Sequence, residues 1–380
     1  MTVTVERARG CLLGQAVGDA LGAPIEGMSR ERILRHYGRV TEYIDGDAAL
    51  AGPARPHPAG VYTDDTQQAL LVASVLAEAR GFDPELARRR YVELASPLPG
   101  LPRGAHRAMG GNFRAALERM KNGHMTLETG VSSAGNGAAM RAAPIGLWYA
   151  ADPEGLRRAT IEASLQTHAD PRGISAAVAV AALAGHLASN NVGSPEEARE
   201  ALELAAASAE EAEATLCREY HLPYEGAEPR PPRFSASLRL LLPLWGASLW
   251  EVLHVIVVQA NRQQPDYPIS SASDSFACAS VTTAIFLALA SSCFEEAVIE
   301  AVNLGGDADT VGGITGALAG ARWGASAIPQ RWLEGLANRD GVIAQADALV
   351  GGTKRGGEAI DLLALEAQLS LALVRMREGW

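Results

Sequence analysis

The sequence predicts an all-α, single-domain protein, and three observations carry that expectation. Alanine and leucine dominate a chain with 48% hydrophobic but only 5% aromatic residues, a balance that favours helices over sheets. Apolar residues recur at three- and four-residue spacing, and no alternating apolar/polar run reads convincingly as a strand. No Pro/Gly/Ser linker or charge run divides the 380 residues, so one domain over 1–380 is expected although length alone admits two or three.

In chain order, residues 8–21 read as the first helix, with Leu12, Leu13, Ala16, Val17 and Ala20 at helical spacing. Gly10, Gly14 and Gly18 at every fourth place give it a smooth face for close packing. Residues 39–60 turn to Gly, Pro, Asp and Ala and read as a long loop, of a kind often functional. Helical stretches follow at 66–79, 84–95 and 113–121, and the glycine-rich segment 135–141 interrupts them. The Ala/Val-rich stretch 174–188 and the acidic amphipathic stretch 196–216 read as helices, and 221–234, with Pro223, Pro229, Pro231 and Pro232, as a loop. The region 191–270 around that loop is expected to be a variable insertion. Residues 252–258 have strand-like β-branched content, but their flanks extend the pattern to helical length, and a helix is expected. The uncharged run from Phe276 to Phe294 contains too many Ser and Thr for a lone bilayer span and reads as a buried core helix.

A formal net charge of −11 without any Lys/Arg cluster argues against a nucleic-acid backbone as main partner. Cys11, Cys217, Cys278 and Cys293 form no CxxC pair and read as reduced thiols of a cytoplasmic protein. The N-terminus has no apolar signal region, which argues against secretion, and no membrane association is expected.

The chemistry is concentrated in two short acidic runs far apart in sequence, Thr63-Asp64-Asp65-Thr66 and Asp307-Ala308-Asp309-Thr310, each at a helix start. Helix capping alone would account for one acceptor in each run. It does not account for two adjacent or near-adjacent carboxylates, which repel one another unless a cation lies between them. The charge on Asp64, Asp65, Asp307 and Asp309 would be balanced by two divalent ions. The oxygen-only ligand set favours Mg²⁺, Mn²⁺ or Ca²⁺ over Zn²⁺. Weaker local signals are Glu26 on the bend after the first helix, the glycine-rich Gly135-Asn136-Gly137 as an anion-binding turn, and His168 just ahead of a helix start. No Walker loop, Rossmann fingerprint, serine-nucleophile or zinc pattern is present.

Five segments, GCLLGQAVGDALGAPIEG (10–27), YTDDTQQAL (62–70), AGNGAAMRAAPIG (134–146), QTHADPRGISAAVAVAALAGHL (166–187) and AVNLGGDADTVGGITGALAGARWG (301–324), resemble in this order the ADP-ribosylglycohydrolase family, which includes the dinitrogenase reductase-activating glycohydrolases. The resemblance implies a compact, single-domain orthogonal helical bundle with two divalent cations, Mg²⁺ or Mn²⁺. It implies that Thr63, Asp64, Asp65, Asp307, Asp309 and Thr310 hold the metals, that Glu26, Asp64 and Asp65 act in catalysis, and that Ser133, Ala134, Gly135, Asn136, Gly137 and His168 contact the substrate. The activity implied is metal-dependent hydrolysis of the glycosidic bond between ADP-ribose and a protein side chain, arginine or serine, or a small conjugate. One departure stands out: arginine-specific relatives typically carry Asp-x-Gly where this chain has Pro102-Arg103-Gly104, and residues 96–107 contain no acid at all. The alternatives weighed are a non-catalytic ADP-ribose-binding or structural relative, and a hydrolase of free nucleoside or nucleotide conjugates.

Overall fold

The computed structural model describes residues 2–46, 57–222, 233–351 and 361–378, which form helices joined by turns and loops, with no strand among them. The helices that position the site are α1 (Val5–Gly22), α2 (Asp64–Ala79), α3 (Pro171–Ser189), α4 (Pro195–Glu219), α5 (Ala277–Ala290), α6 (Ala308–Trp323) and α7 (Leu362–Glu378). Their starts carry the expected chemistry. Thr4 accepts from the Arg7 N–H (3.2 Å) to open α1, Asp170 accepts from the Arg172 N–H (2.9 Å) to open α3, and Ser194 with Glu197 forms a capping box on α4.

The centre of the molecule is a seam between α1 and α6, which run antiparallel in backbone contact. Gly10, Gly14, Gly18 and Gly22 meet, in order, Gly320, Gly316, Gly312 and the Ala308–Asp309 backbone. A Cβ on any of the four α1 glycines would come closer than 3.0 Å to main-chain atoms of α6, and the same holds for Gly312, Gly316 and Gly320 against α1. Only glycine fits, and removing the side chains lets the two helices approach as closely as their backbones allow. The sequence pattern revealed the α1 half of this seam.

Alanine-rich helices pack around it. α3 is the one helix among the described residues long and apolar enough to cross a bilayer, and 78% of its span is buried inside the protein. α4 packs on α3, and the buried Glu213 of α4 accepts from the Ser235 N–H (3.0 Å) and hydroxyl (2.7 Å). That contact anchors a short helix, Phe234–Arg239, whose first residue was expected to end a loop. The rest of that loop, 223–232, lies outside the described residues, as do 47–56 of the expected loop 39–60.

Other boundaries follow the expectations with physical adjustments. Within the uncharged run the helix ends at Ala290, and Phe294 opens a separate helix, Phe294–Val302. Residues 249–263 are helical, as their flanks indicated. The glycine-rich segment is a 3₁₀ turn, Asn136–Arg141, that feeds directly into the helix Ala143–Trp148. The helices Arg30–Tyr37, Pro153–Leu165 and Arg339–Gly351 had no place in the sequence reading.

The seam generates a sharp contrast between glycines. Gly316→Ala is expected to cost roughly 3 kcal/mol or more, the upper end of overpacking penalties, measured as a lower denaturant midpoint. Gly111→Ala, in the first turn of the helix Gly111–Lys121 with open space where the Cβ would go, is expected to be neutral or stabilising by up to about 1 kcal/mol.

Candidate metal centre and substrate cradle

The two acidic runs meet. The seam sets the C-terminal end of α1 beside the first turn of α6, and the bend after α1 is then tied down by the loop before α6. The Gly27 N–H donates to Gly306 O (2.7 Å), the Gly306 N–H donates to Met28 O (2.8 Å), and Ser29 pairs with Gly305 in an isolated antiparallel bridge. This turn requires glycine: Gly305 and Gly306 have φ of 74° and 65°. As a result Glu26, Asp307 and Asp309 offer carboxylate oxygens that all lie within 4.8 Å of one another.

The start of α2 is brought to the same place by α1. Asp19, fully buried, takes the Thr63 N–H (2.9 Å) on one oxygen and the Thr66 N–H (3.0 Å) and hydroxyl (2.6 Å) on the other. Gln15 adds a bond from its amide to Asp65 O (3.2 Å). Asp19 occupies the position an N-terminal capping acid would take, which leaves the carboxylates of α2 free. Thr63 supplies the local cap by accepting from the Asp65 N–H (3.3 Å). α6 has no side-chain cap at all: Asp307 stands at the capping position but accepts instead from Asn136 Nδ2 (2.6 Å). Capping therefore accounts for none of Asp64, Asp65 and Asp307.

The electrostatics record the crowding. Burial, reinforced by the charges of Asp307 and Asp19, pushes the Glu26 carboxyl up to about 7, although its edge remains open to solvent. Burial, with Asp19 and Glu26 nearby, likewise pushes Asp64 up to about 7. Asp65 is raised well above the usual carboxylate range by burial and by Asp19, Asp64 and Asp307, and Asp309 by burial and by Glu26, Asp65 and Asp307. Thr310 reaches both Asp65 and Asp307 and links the two runs. Asp65 Oδ2 is buried without a partner of hydrogen-bond geometry, an orphan acceptor in the middle of an all-oxygen donor set. A hard divalent cation fits this arrangement, because it satisfies the orphan and removes the repulsion together.

The substrate cradle adjoins it. The segment 133–137 is held by α5: Gly135 pairs with Phe276 in an antiparallel bridge, the Ala277 N–H donates to Ala134 O (2.9 Å), and the Asn136 N–H donates to Ser275 O (3.1 Å). Asn136 joins cradle and metal cluster, since its amide also reaches Ser280 Oγ (3.1 Å). Buried His168 lies beneath the glycines, where a Cβ on Gly137 would lie 3.0 Å from its ring. Burial and the nearby Arg141 push its imidazole down to about 3, so it is neutral. Ser133 is gripped from outside by Asn112 Nδ2 (2.7 Å).

The candidate site residues singled out in the sequence lie in this one region, and Asp19, Asn112, Gln68 and Arg141 join them. Asp19 and Asn112 were not recognised. Gln68 donates from Nε2 to Asp64 Oδ2 (2.7 Å) and accepts from Arg141 Nη1 (2.7 Å), while Arg141 Nη2 donates to the Thr167 hydroxyl, itself 2.8 Å from His168 Nδ1. The available signal was the placement of Asp19, Gln68 and Arg141 within or next to the marked motifs.

Fold and site define a class: an all-α hydrolase with an acidic, oxygen-only centre beside a glycine-rich cradle. The chain belongs to the ADP-ribosylglycohydrolase family, whose sequence model matches residues 1–359. It is 30% identical over 364 residues to the ADP-ribosylhydrolase ARH3 of Mus musculus, covering 90% of this chain and 91% of that protein. It is 28% identical over 338 residues to the ADP-ribosyl-[dinitrogen reductase] glycohydrolase of Rhodospirillum rubrum, covering 87% and 90% of the two chains. The solved structure of an ADP-ribosylglycohydrolase-related protein complex superimposes with a TM-score of 0.65 at 29% identity, over 92% of this chain and 98% of that one. The protein is accordingly an enzyme of the glycosidic-bond hydrolase class, in a metal-dependent family.

Carboxylates held together for a cation destabilise the protein without it. Asp309→Asn is expected to stabilise the chelator-treated protein by about 1–2 kcal/mol, and a rise in Tm on adding a divalent cation such as Mn²⁺ is expected in the wild type and not in the variant. Thermal melts with chelator and with Mn²⁺ check both halves.

Proposed function

We propose that the protein hydrolyses the bond between the distal ribose of ADP-ribose and a protein side chain, arginine or serine, or a small conjugate, with two divalent cations, Mg²⁺ or Mn²⁺. The observation that carries this reading is the junction at Asn136, where one side chain belongs to the glycine cradle and bonds a carboxylate of the acidic cluster. A ligand with an anionic half and a sugar-diol half would span both. Glu26, Asp307 and Asp309 would hold one ion, and Thr63, Asp64, Asp65 and Thr310 would complete the second position. The ions would fix the ribose hydroxyls and make the attacking water more acidic.

In the proposed reaction, water oxygen bonds to the anomeric carbon as the bond to the leaving oxygen or nitrogen breaks. The leaving atom keeps the electron pair and gains a proton, releasing ADP-ribose and the free side chain. Positive charge develops on the ribose ring, and the negative charge of Asp64 and Asp65 would stabilise it. These two would orient the water and take its proton. Glu26, at the solvent edge, is assigned the auxiliary acid or base role. Ser133, Ala134, Gly135, Asn136 and Gly137 would wrap the pyrophosphate and ribose, with His168 donating from beneath.

The Rhodospirillum rubrum relative, named for action on ADP-ribosyl-[dinitrogen reductase], supports that kind of partner. The absence of any acid in residues 96–107 weakens an arginine-specific assignment and puts an O-linked or small substrate on a par with it. A cytoplasmic setting belongs to the same proposal and rests on four free cysteines. The 191–270 segment is proposed as the variable part of a single domain.

A release assay with arginine-, serine- and base-linked ADP-ribose, with and without Mg²⁺ or Mn²⁺, tests the reading. Metal-dependent release of free ADP-ribose from at least one conjugate is expected, and its loss in Asp309→Ala; undiminished release in chelator would contradict it. His168→Ala is expected to raise KM about ten-fold or more, the loss of one hydrogen bond to a charged group, in steady-state kinetics on the conjugate that is turned over.

A further inference from the structure

We propose that Glu366, on the C-terminal helix α7, is a positioning residue that sets the metal affinity of the centre from outside it. The proposal rests on the metal-centre reading above. α7 lies beyond residue 359, where the family match ends. Glu366 is fully buried and therefore cannot touch substrate.

Its two oxygens grip the residues on either side of the Thr63-Asp64-Asp65-Thr66 turn. Oε1 accepts from the Tyr62 hydroxyl (2.7 Å), and Oε2 accepts from Gln67 Nε2 (3.0 Å) and from Arg107 Nη1 (2.7 Å). Arg107 closes the frame: its Nε donates to Tyr62 O (3.2 Å) and its backbone N–H donates to Gln67 Oε1 (3.3 Å). Ser370, one turn further along α7, donates to Ala105 O (2.6 Å) and holds the Arg107 segment in place. On the opposite side of the same turn, Asp19 takes the backbone of Thr63 and Thr66. The ligand-bearing turn is thus clamped between two buried carboxylates, one inside the site and one outside.

The chemistry of the outer clamp requires a carboxylate. A glutamine at this place has a single acceptor oxygen, and its NH₂ would be turned against a donor of Tyr62, Gln67 or Arg107. Without both acceptors Tyr62 and Gln67 lose their fixed separation, and Asp64 and Asp65 lose the rigid mount that preorganised metal ligands need.

The test is a direct Mn²⁺ titration, followed by electron paramagnetic resonance, of full-length wild type, Glu366→Gln and Tyr62→Phe. It is run at a temperature where circular dichroism shows each protein folded. The expected result is Mn²⁺ affinity weakened at least about ten-fold in Glu366→Gln, and in the same direction but less in Tyr62→Phe. A role limited to packing α7 would lower Tm and leave the Mn²⁺ affinity of the folded protein unchanged; wild-type affinity in both variants overturns the proposal. Should Glu366→Gln fail to fold, Tyr62→Phe decides alone. The titration uses no substrate, so a wild type that binds Mn²⁺ but hydrolyses no conjugate overturns the proposed substrate and not the positioning role.

Discussion

The glycine seam between α1 and α6 is the constraint from which the site follows. Two helices in backbone contact over several turns have little freedom to rotate or slide, because each carbonyl sits where a neighbouring glycine lacks a Cβ. A slip of one turn would move one helix about 5.4 Å along the other. That exceeds the 4.8 Å that contains the oxygens of Glu26, Asp307 and Asp309, so the register of the seam and the integrity of the cluster are the same fact. α1 also carries Gln15 and Asp19, which fix the start of α2. One helix, held by its glycines, therefore references all three carboxylate-bearing segments to each other.

Such a cluster opposes folding. Its members are raised out of the ordinary carboxylate range chiefly by burial, and among the described residues no Lys or Arg in contact with them offsets their mutual repulsion. The surrounding protein bears this cost through a large apolar core of alanine, valine and leucine, together with well-made helix caps elsewhere. At the centre, by contrast, α6 starts without a side-chain cap and the carboxylate oxygen Asp65 Oδ2 has no partner. Departures of this kind collect at functional sites, where a ligand completes what the chain leaves open.

The all-α class and the long helices were legible because helical periodicity and alanine content are local properties. The acidic runs were legible for a related reason: Asp64-Asp65 and Asp307-Ala308-Asp309 carry more charge than a cap can use, and that excess is visible without a fold. What stayed hidden depends on distant burial. Asp19 looked like one acid in a Gly/Pro-flanked helix end, and nothing local marks it as a cap for a helix that begins at residue 64. Glu366 is more extreme, one glutamate outside every segment that the sequence marks, and its partners Tyr62, Gln67 and Arg107 are apparent only once α7 is docked. The short helices Ala143–Trp148 and Phe234–Arg239 were missed because fewer than two turns leave no periodicity to detect.

Arg141, which holds the cradle through Gly137 O (3.1 Å), shows how a residue outside the carboxylate cluster can fix protons in both. A guanidinium only donates and does not lose its charge in a protein. Its Nη1 must therefore face the oxygen of Gln68, which turns the Gln68 NH₂ toward Asp64 and makes the amide a donor there. Its Nη2 occupies an acceptor site of the Thr167 hydroxyl, which directs the hydroxyl hydrogen to His168 Nδ1, its nearest acceptor. The imidazole, kept neutral by burial and by the same arginine, then carries its own hydrogen on Nε2, the nitrogen close to Gly135 and Gly137. One permanent charge thus makes Gln68 a donor to Asp64 and His168 a donor to the cradle, without joining the buried acids as a counter-ion that would compete with a metal.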